Sequence, residues 1–199
     1  VKQVRTGLSG HPDRQRWNAR YEGAPAASFE PHPLAVTALS MALPAGPVAD
    51  LACGPSGSAL LAAAAGKRVT AVDISEVALD QLAHEARRRG LSGPITLVHA
   101  DLGAWHPQPG SFALVLCTGY WDSAVFVAAA QAVASGGLLG WEAFTAAARR
   151  VRPTLPARWC LGPGEPASLL PSGFDVVSQQ DMPDDEHGTK RRLLARRLR

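Results

Sequence analysis

The sequence predicts an α/β fold, a doubly wound sheet of seven strands that is mostly parallel and ends in an antiparallel hairpin. Three observations carry this expectation. From Val48 to Phe144 short β-type runs alternate with helical segments, the pattern of a parallel sheet covered on both faces. Beyond Phe144 the alternation breaks at a proline-rich passage, Arg152 to Pro171. Two further β-type runs then follow with no helix between them, so they are expected to pair as a hairpin at one edge. A chain of 199 residues with 46% hydrophobic content can bury one core, and a single domain is expected over 1–199. Within it, 1–45 would form an N-terminal arm and helix, 46–145 a ligand-binding core, and 146–199 a linker and the hairpin.

Each element has a local reason. Residues up to about 30 read as a polar arm, followed by a connecting helix, and Pro44-Ala45-Gly46-Pro47 breaks the chain before the first strand, Val48 to Cys53. The Ala- and Leu-rich run from Ser58 to Ala65 reads as a helix ended by Gly66. Arg68 to Asp73 is the second strand, and Ser75 is placed to cap a helix running to Arg89. In that helix Leu79, Leu82, Ala83 and Ala86 fall at i, i+3, i+4 and i+7, which defines one buried face. Strands are expected at Ile95 to His99, at Phe112 to Thr118 and, after Gly136-Gly137, at Leu138 to Phe144. A helix from Asp122 to Ala134 lies between the last two. The proline-rich passage has room for a short helix near Ala167 to Leu170, and Phe174 to Val177 and Arg192 to Leu198 are the final strands.

Composition narrows the function classes. No stretch approaches the roughly 20 apolar residues of a membrane-spanning helix, and Val1-Lys2-Gln3-Val4-Arg5 leads into polar sequence instead of a signal-peptide core. A cytoplasmic protein with no membrane partner is expected, as a monomer or weak homodimer. Cys53, Cys117 and Cys160 are odd in number and lie in or beside apolar runs without metal-ligand spacing, so reduced core thiols and no metal site are expected. The formal charge is +3, with basic residues gathered at Lys190, Arg191, Arg192, Arg196, Arg197 and Arg199. Such a cluster can touch nucleic acid, or it can be the solvated face of a last strand whose charged ends protect an edge. No aromatic residue interleaves with it to stack on bases, which favours the strand.

The chemistry-bearing stretch is Val48-Ala49-Asp50-Leu51-Ala52-Cys53-Gly54-Pro55-Ser56-Gly57. It reads as a strand ending in an acidic residue, then a small-residue loop that opens a helix. Small residues let a ligand approach the backbone, although a tight turn with no ligand uses them too. Asp73 ends the next strand, where a carboxylate can accept from both hydroxyls of a ribose. An Asp before a helix is often its cap, but Ser75 can cap this one and leave Asp73 for the ligand. Asp101 follows the third strand, either as a turn residue or as an acceptor for the amine of adenine, with Ile74 and Leu102 as apolar contacts to the ring. Acidic residues at three successive strand ends describe an adenosine site.

These residues resemble the class I S-adenosylmethionine-dependent methyltransferases over most of the chain, with their Rossmann-like fold. Asp50-Leu51-Ala52-Cys53-Gly54 is similar to the family's first motif, and Ala71-Val72-Asp73-Ile74-Ser75 to its second. Ala100-Asp101-Leu102 is similar to its adenine motif, Phe112 to Cys117 to its fourth strand, and Trp17-Asn18-Ala19-Arg20-Tyr21 to the arm that folds over the cofactor. Leu161 to Glu165 and Gly173 to Val177 resemble the tail of the tellurite-resistance (TehB-like) methyltransferases. The loop departs from the family where glycines would stand at 52, 54 and 56, since this chain has Ala52, Gly54 and Ser56, with Gly57 one place later. The resemblance implies S-adenosyl-L-methionine as cofactor and the segment 1–45 as a cover for its site. It implies that Asp50 positions the methionine ammonium, that the Cys117 carbonyl contacts the same end, and that Arg20 and Tyr21 serve the carboxylate end or close the lid. Trp17, Tyr120, Trp121 and Trp141 are candidates for the acceptor pocket and equally for core.

The expected reaction is methyl transfer to a small molecule. No catalytic residue is assigned; His99, His106 and His187 lie near strand ends or loops, and nothing singles one out. Three other readings compete, one of them a nucleotide-binding module with no catalysis. A methyltransferase acting on RNA or protein would use the basic C-terminus. An NAD-dependent dehydrogenase would share the loop and the acidic residue, but the G-x-G-x-x-G spacing is missing and Asp50 would bring a carboxylate close to the pyrophosphate.

Overall fold

In the computed structural model, which describes residues 2–4, 8–24 and 27–199, parallel strands form the centre of an eight-stranded sheet. The chain runs through β1 (Lys2–Val4), α1 (Pro12–Glu22), α2 (Pro33–Ser40), β2 (Val48–Leu51), α3 (Gly57–Ala64), β3 (Val69–Asp73) and α4 (Glu76–Arg88). It continues through β4 (Ile95–His99), β5 (Phe112–Thr118), α5 (Ser123–Ala132), β6 (Val133–Phe144), β7 (Phe174–Met182) and β8 (Lys190–Arg197). Of the expected N-terminal arm, residues 1, 5–7 and 25–26 lie outside the described residues.

The strand order is β1-β4-β3-β2-β5-β6-β8-β7. From β1 to β6 the pairs are parallel, whereas β8 is antiparallel to both β6 and β7. The seven expected strands are present, and β1 adds a short edge strand beside β4. The order turns back between β2 and β5, so the switch-point crevice opens above their C-terminal ends. Fully buried strands such as β2 explain the continuous apolar runs, because both faces of a parallel sheet are covered. One core layer packs α2, α3 and α4 on the sheet through Leu34, Leu60, Leu79 and Leu82. The opposite layer packs α5 through Phe126 against Trp121, Trp141 and Leu193.

Two expectations about the C-terminal strands change. The last strand is not an edge: β8 lies between β6 and β7, and β7 is the edge. β7 also runs to Met182, well past Val177, since a polar tail is compatible with an exposed edge strand. β6 starts at Val133 and takes in Gly136-Gly137, with a register irregularity opposite Phe112 to Leu114. Among the described residues no helix is long and apolar enough to cross a membrane.

Candidate active site

The site begins with the loop between β2 and α3, where Ala52 and Gly54 both take left-handed backbone angles, φ 47° and 58°. Glycine adopts this region without penalty, and an L-residue in it costs about 1 kcal/mol, so Ala52 carries local strain. The Gly54 amide donates to Asp73 Oδ2 at 2.7 Å, and the Ser75 amide donates to Oδ1 at 2.8 Å. Asp73 is therefore anchored to backbone on both oxygens, which corrects the picture of a carboxylate left free by Ser75. Each oxygen keeps a further lone pair. Ser75 does cap α4, accepting from the Ala78 amide. Burial pushes the Asp73 carboxyl up, against the pull of three backbone amides and His99.

Asp73, Ile74, Asp101 and Leu102 open on one cavity, whose floor is Ala52 and Ala100 and whose far wall is Thr118, Gly119 and Tyr120. Its roof is α1, which presents Asp13, Trp17 and Tyr21 at i, i+4 and i+8. Trp17 and Tyr21 stack with ring centroids 5.9 Å apart, and the Tyr21 hydroxyl is 2.8 Å from where a Cβ at Gly54 would stand. Burial and the nearby Asp73 push the Tyr21 phenol up. Asp101 caps a short 3-10 turn through the Gly103 amide, and its Oδ2 is 3.8 Å from His11 Nε2.

Asp50 stands apart. It is 3% exposed, outside the cavity lining, and its Oδ2 accepts from the Ser56 hydroxyl at 2.6 Å. Ser56 in turn caps α3 by accepting from the Ala59 amide at 2.9 Å. Burial pushes the Asp50 carboxyl up to about 7, with the Ser56 hydrogen bond acting in the opposite direction and Asp73 adding to the rise. The three carboxylates thus do not converge: two face the cavity, and the third lies under the loop.

Other expected residues also find different places. Gly57 is small because the backbone of Phe29 and Glu30 lies where its Cβ would be, and it does not line the cavity. The Cys117 side chain is buried in the core, and the cavity wall begins one residue later at Thr118. Arg20 is exposed and packs over Trp17 at 5.6 Å. Trp141, expected as core or pocket, is core: it is fully buried between Phe126 and Trp121, with Nε1 donating to the Tyr120 carbonyl. Trp121 and Tyr120 line a second cavity with Asp13, Arg16, Trp17 and Gly119. The sequence reading missed Asp13, whose signal was its helical spacing from Trp17 and Tyr21. It also missed the ties of α1 to α4: Arg14 Nε donates to Glu76 Oε2 at 2.8 Å, and the Ser75 hydroxyl donates to Asn18 Oδ1 at 2.7 Å.

Cys53 is half-buried, Cys117 and Cys160 are buried, and all three are free thiols. Among the described residues no group of three His, Cys, Asp or Glu side chains could hold a metal ion. The basic C-terminus is engaged internally. Arg191 pairs with Asp181, Arg192 with Glu142, and Arg196 and Arg197 donate to the carbonyls of Ala42, Gly136, Gln131 and Val133. These arginines lie on the strand β8 and remain partly exposed.

The main cavity presents the groups an adenosine would need: acceptor oxygens on Asp73 and Asp101, apolar faces on Ile74 and Leu102, and a loop with no side chain beyond Cβ at 52 or 54. The fold and the site are similar to those of the class I S-adenosylmethionine-dependent methyltransferases. Residues 48–137, from the first residue of β2 into β6, match the family model described as a methyltransferase domain. No curated protein matches the chain in sequence.

Solved structures show the same fold. One, from work on the conversion of a disulfide bond into a thioacetal group during echinomycin biosynthesis, is 20% identical with a TM-score of 0.69, covering 94% of this chain and 93% of its own. Magnesium protoporphyrin IX methyltransferase (ChlM) from Synechocystis PCC 6803, with bound SAH, is 20% identical with a TM-score of 0.64, covering 82% and 79%. TehB from Haemophilus influenzae is 15% identical with a TM-score of 0.69, covering 92% and 66%. At these identities the likeness is one of fold, and TehB is one neighbour among several.

Proposed function

We propose that this protein transfers the methyl group of S-adenosyl-L-methionine to a small-molecule acceptor in the cytoplasm, as one domain over 1–199. The observation that carries the reading is the opening of Asp73 and Asp101 into one cavity roofed by Trp17 and Tyr21. In this reading Asp73 accepts from the ribose hydroxyls through the lone pairs its backbone partners leave, Asp101 accepts from the adenine amine, and Ile74 and Leu102 hold the ring. Gly54 and Ala52 let the methionine part pass over the loop, and Asp50 balances the ammonium from beneath it. Bound here, the cofactor supplies an electrophilic methyl carbon on a sulfonium. The protein's task is then to align the acceptor and exclude water, which α1 serves as a cover. A small acceptor is favoured over RNA because the C-terminal arginines already have partners.

Calorimetric titration with S-adenosylhomocysteine and with NAD tests this directly. Binding of the first and none of the second is expected. Removing charge-assisted hydrogen bonds in Asp73→Ala should weaken S-adenosylhomocysteine by roughly tenfold or more, with Asp73→Asn intermediate. Preferred binding of NAD, or an unchanged affinity in both variants, would overturn the assignment.

A further inference from the structure

The second cavity adjoins the first at Asp13, Trp17, Gly119 and Tyr120, so a molecule lodged there lies next to the proposed cofactor. Its deeper walls are aromatic: Trp121, Phe144 and Trp159, with Leu155. Its rim is basic. The loop 146–160 supplies Arg152 to the cavity and carries no acidic residue. That loop is held at its base by the Thr145–Leu161 bridge and by a small core of Ala148, Leu155 and Cys160, so the rim has a fixed place.

Two guanidinium groups from different elements reach the cavity. Arg152 Cζ lies 4.8 Å from the Phe144 ring centroid, and Arg16 Cζ of α1 lies 4.3 Å from that of Trp159. A guanidinium stacked on a ring keeps its N–H edge free, and that edge matches a carboxylate bidentately. Arg16 shares one nitrogen with Asp13 at 3.1 Å, while Arg152 has no carboxylate partner among the described residues. Aromatic walls select a planar ring by stacking, and a cationic rim selects an anion.

We propose that this cavity takes an aromatic acid as methyl acceptor, with the ring between the aromatic walls and the carboxylate on Arg152 and Arg16. The proposal rests on the methyltransferase reading above and names its substrate class. In the transfer the acceptor's nucleophilic atom bonds to the methyl carbon as the carbon–sulfur bond breaks, leaving its electron pair on sulfur. A hydroxyl acceptor releases its proton to water.

The test uses the full chain saturated with S-adenosylhomocysteine and reads binding of the probe by calorimetry. Probes are 4-hydroxybenzoate and indole-3-acetate, each beside its uncharged amide. The acids should bind at least roughly tenfold more tightly than the amides, the loss expected for a charge-assisted pair. Arg152→Gln together with Arg16→Gln should abolish that preference and leave S-adenosylhomocysteine affinity within about twofold. Equal binding of acid and amide, or a preference that survives in the double variant, overturns the proposal alone. Failure of the unaltered protein to bind S-adenosylhomocysteine overturns both this inference and the reading beneath it.

Discussion

Asp50 lies one residue short of the end of β2, and at that depth the loop that follows covers it. Asp73, the last residue of β3, and Asp101, beyond β4, reach the cavity instead. The residue types were legible in the sequence, but a single residue of depth separated a ligand-facing carboxylate from a buried one. The same holds for Trp141, since an aromatic on a strand reads alike for core and pocket. Gly57 was legible as a close approach, but not that the approaching group is the backbone of Phe29 and Glu30. Burial that raises Asp50 to about 7 has a thermodynamic sign. Above its ordinary range, near pH 4, the unfolded chain ionises this group and the folded protein does not, so stability falls as pH rises toward about 7 and then levels. Asp50→Asn should therefore gain on the parent across that window, by on the order of 2 kcal/mol at neutral pH, in urea melts at several pH values. If a cofactor ammonium sits above Asp50, it favours the carboxylate. Affinity for S-adenosylhomocysteine should then rise between about pH 6 and about pH 7.5 with release of a proton, and Asp50→Asn should lose that dependence. Calorimetry in two buffers of different ionisation enthalpy measures the proton.

Among the elements, α1 is the least self-sufficient. It has eleven residues and none is buried, and a helix this short is marginal by itself in water. His11 and Pro12 start it, and its hold on the body comes from the Arg14 and Asn18 contacts to α4. Burial raises the Glu76 carboxyl, but the hydrogen bonds from Arg14 and Asn18 outweigh that and hold it at about 2. A polar hinge side and an aromatic cavity side suit a cover that opens and closes. Arg14→Ala should speed amide exchange over 12–22 and weaken S-adenosylhomocysteine severalfold. Because the pair is partly exposed, global stability should change little. Exchange rates that do not change would remove the cover role from this contact. The parallel strands and α4 were legible because periodicity and caps are local. α1 was read as an arm because its one-sided pattern is aromatic and acidic on the cavity side, with no aliphatic stripe. β1 has three residues and no pattern to read.

At the scale of the whole molecule, the C-terminal strands close the fold through charge as well as pairing. The insertion of β8 between β6 and β7 depends on contacts distant in sequence, which no local pattern encodes; its arginines therefore read as an edge or a tail. In the structure they reach back across the sheet, and Glu142 on β6 is the point where three segments meet. Its carboxylate is 3% exposed, with His32 Nε2 at 3.2 Å, Lys190 Nζ at 3.4 Å and Arg192 Nε at 2.9 Å. Burial alone would raise this group, but the hydrogen bond and charge of His32, with Arg192 and Lys190, outweigh it and hold Glu142 at about 2. A carboxyl lowered by folding contributes stability above its unfolded range, near pH 4.5, and loses it as pH falls toward about 2. Glu142→Gln leaves Lys190 and Arg192 without their counter-charge and His32 without its partner, though all three reach solvent, so the cost should be about 2 kcal/mol at neutral pH instead of the larger figure for a sealed pair. The gap between parent and variant should close as pH drops from about 4.5 to about 2, because protonated Glu142 and Gln carry the same charge. Urea melts across that range measure the gap, and a difference that stays constant with pH would show that packing at this junction, and not the charge, holds β8 in the sheet.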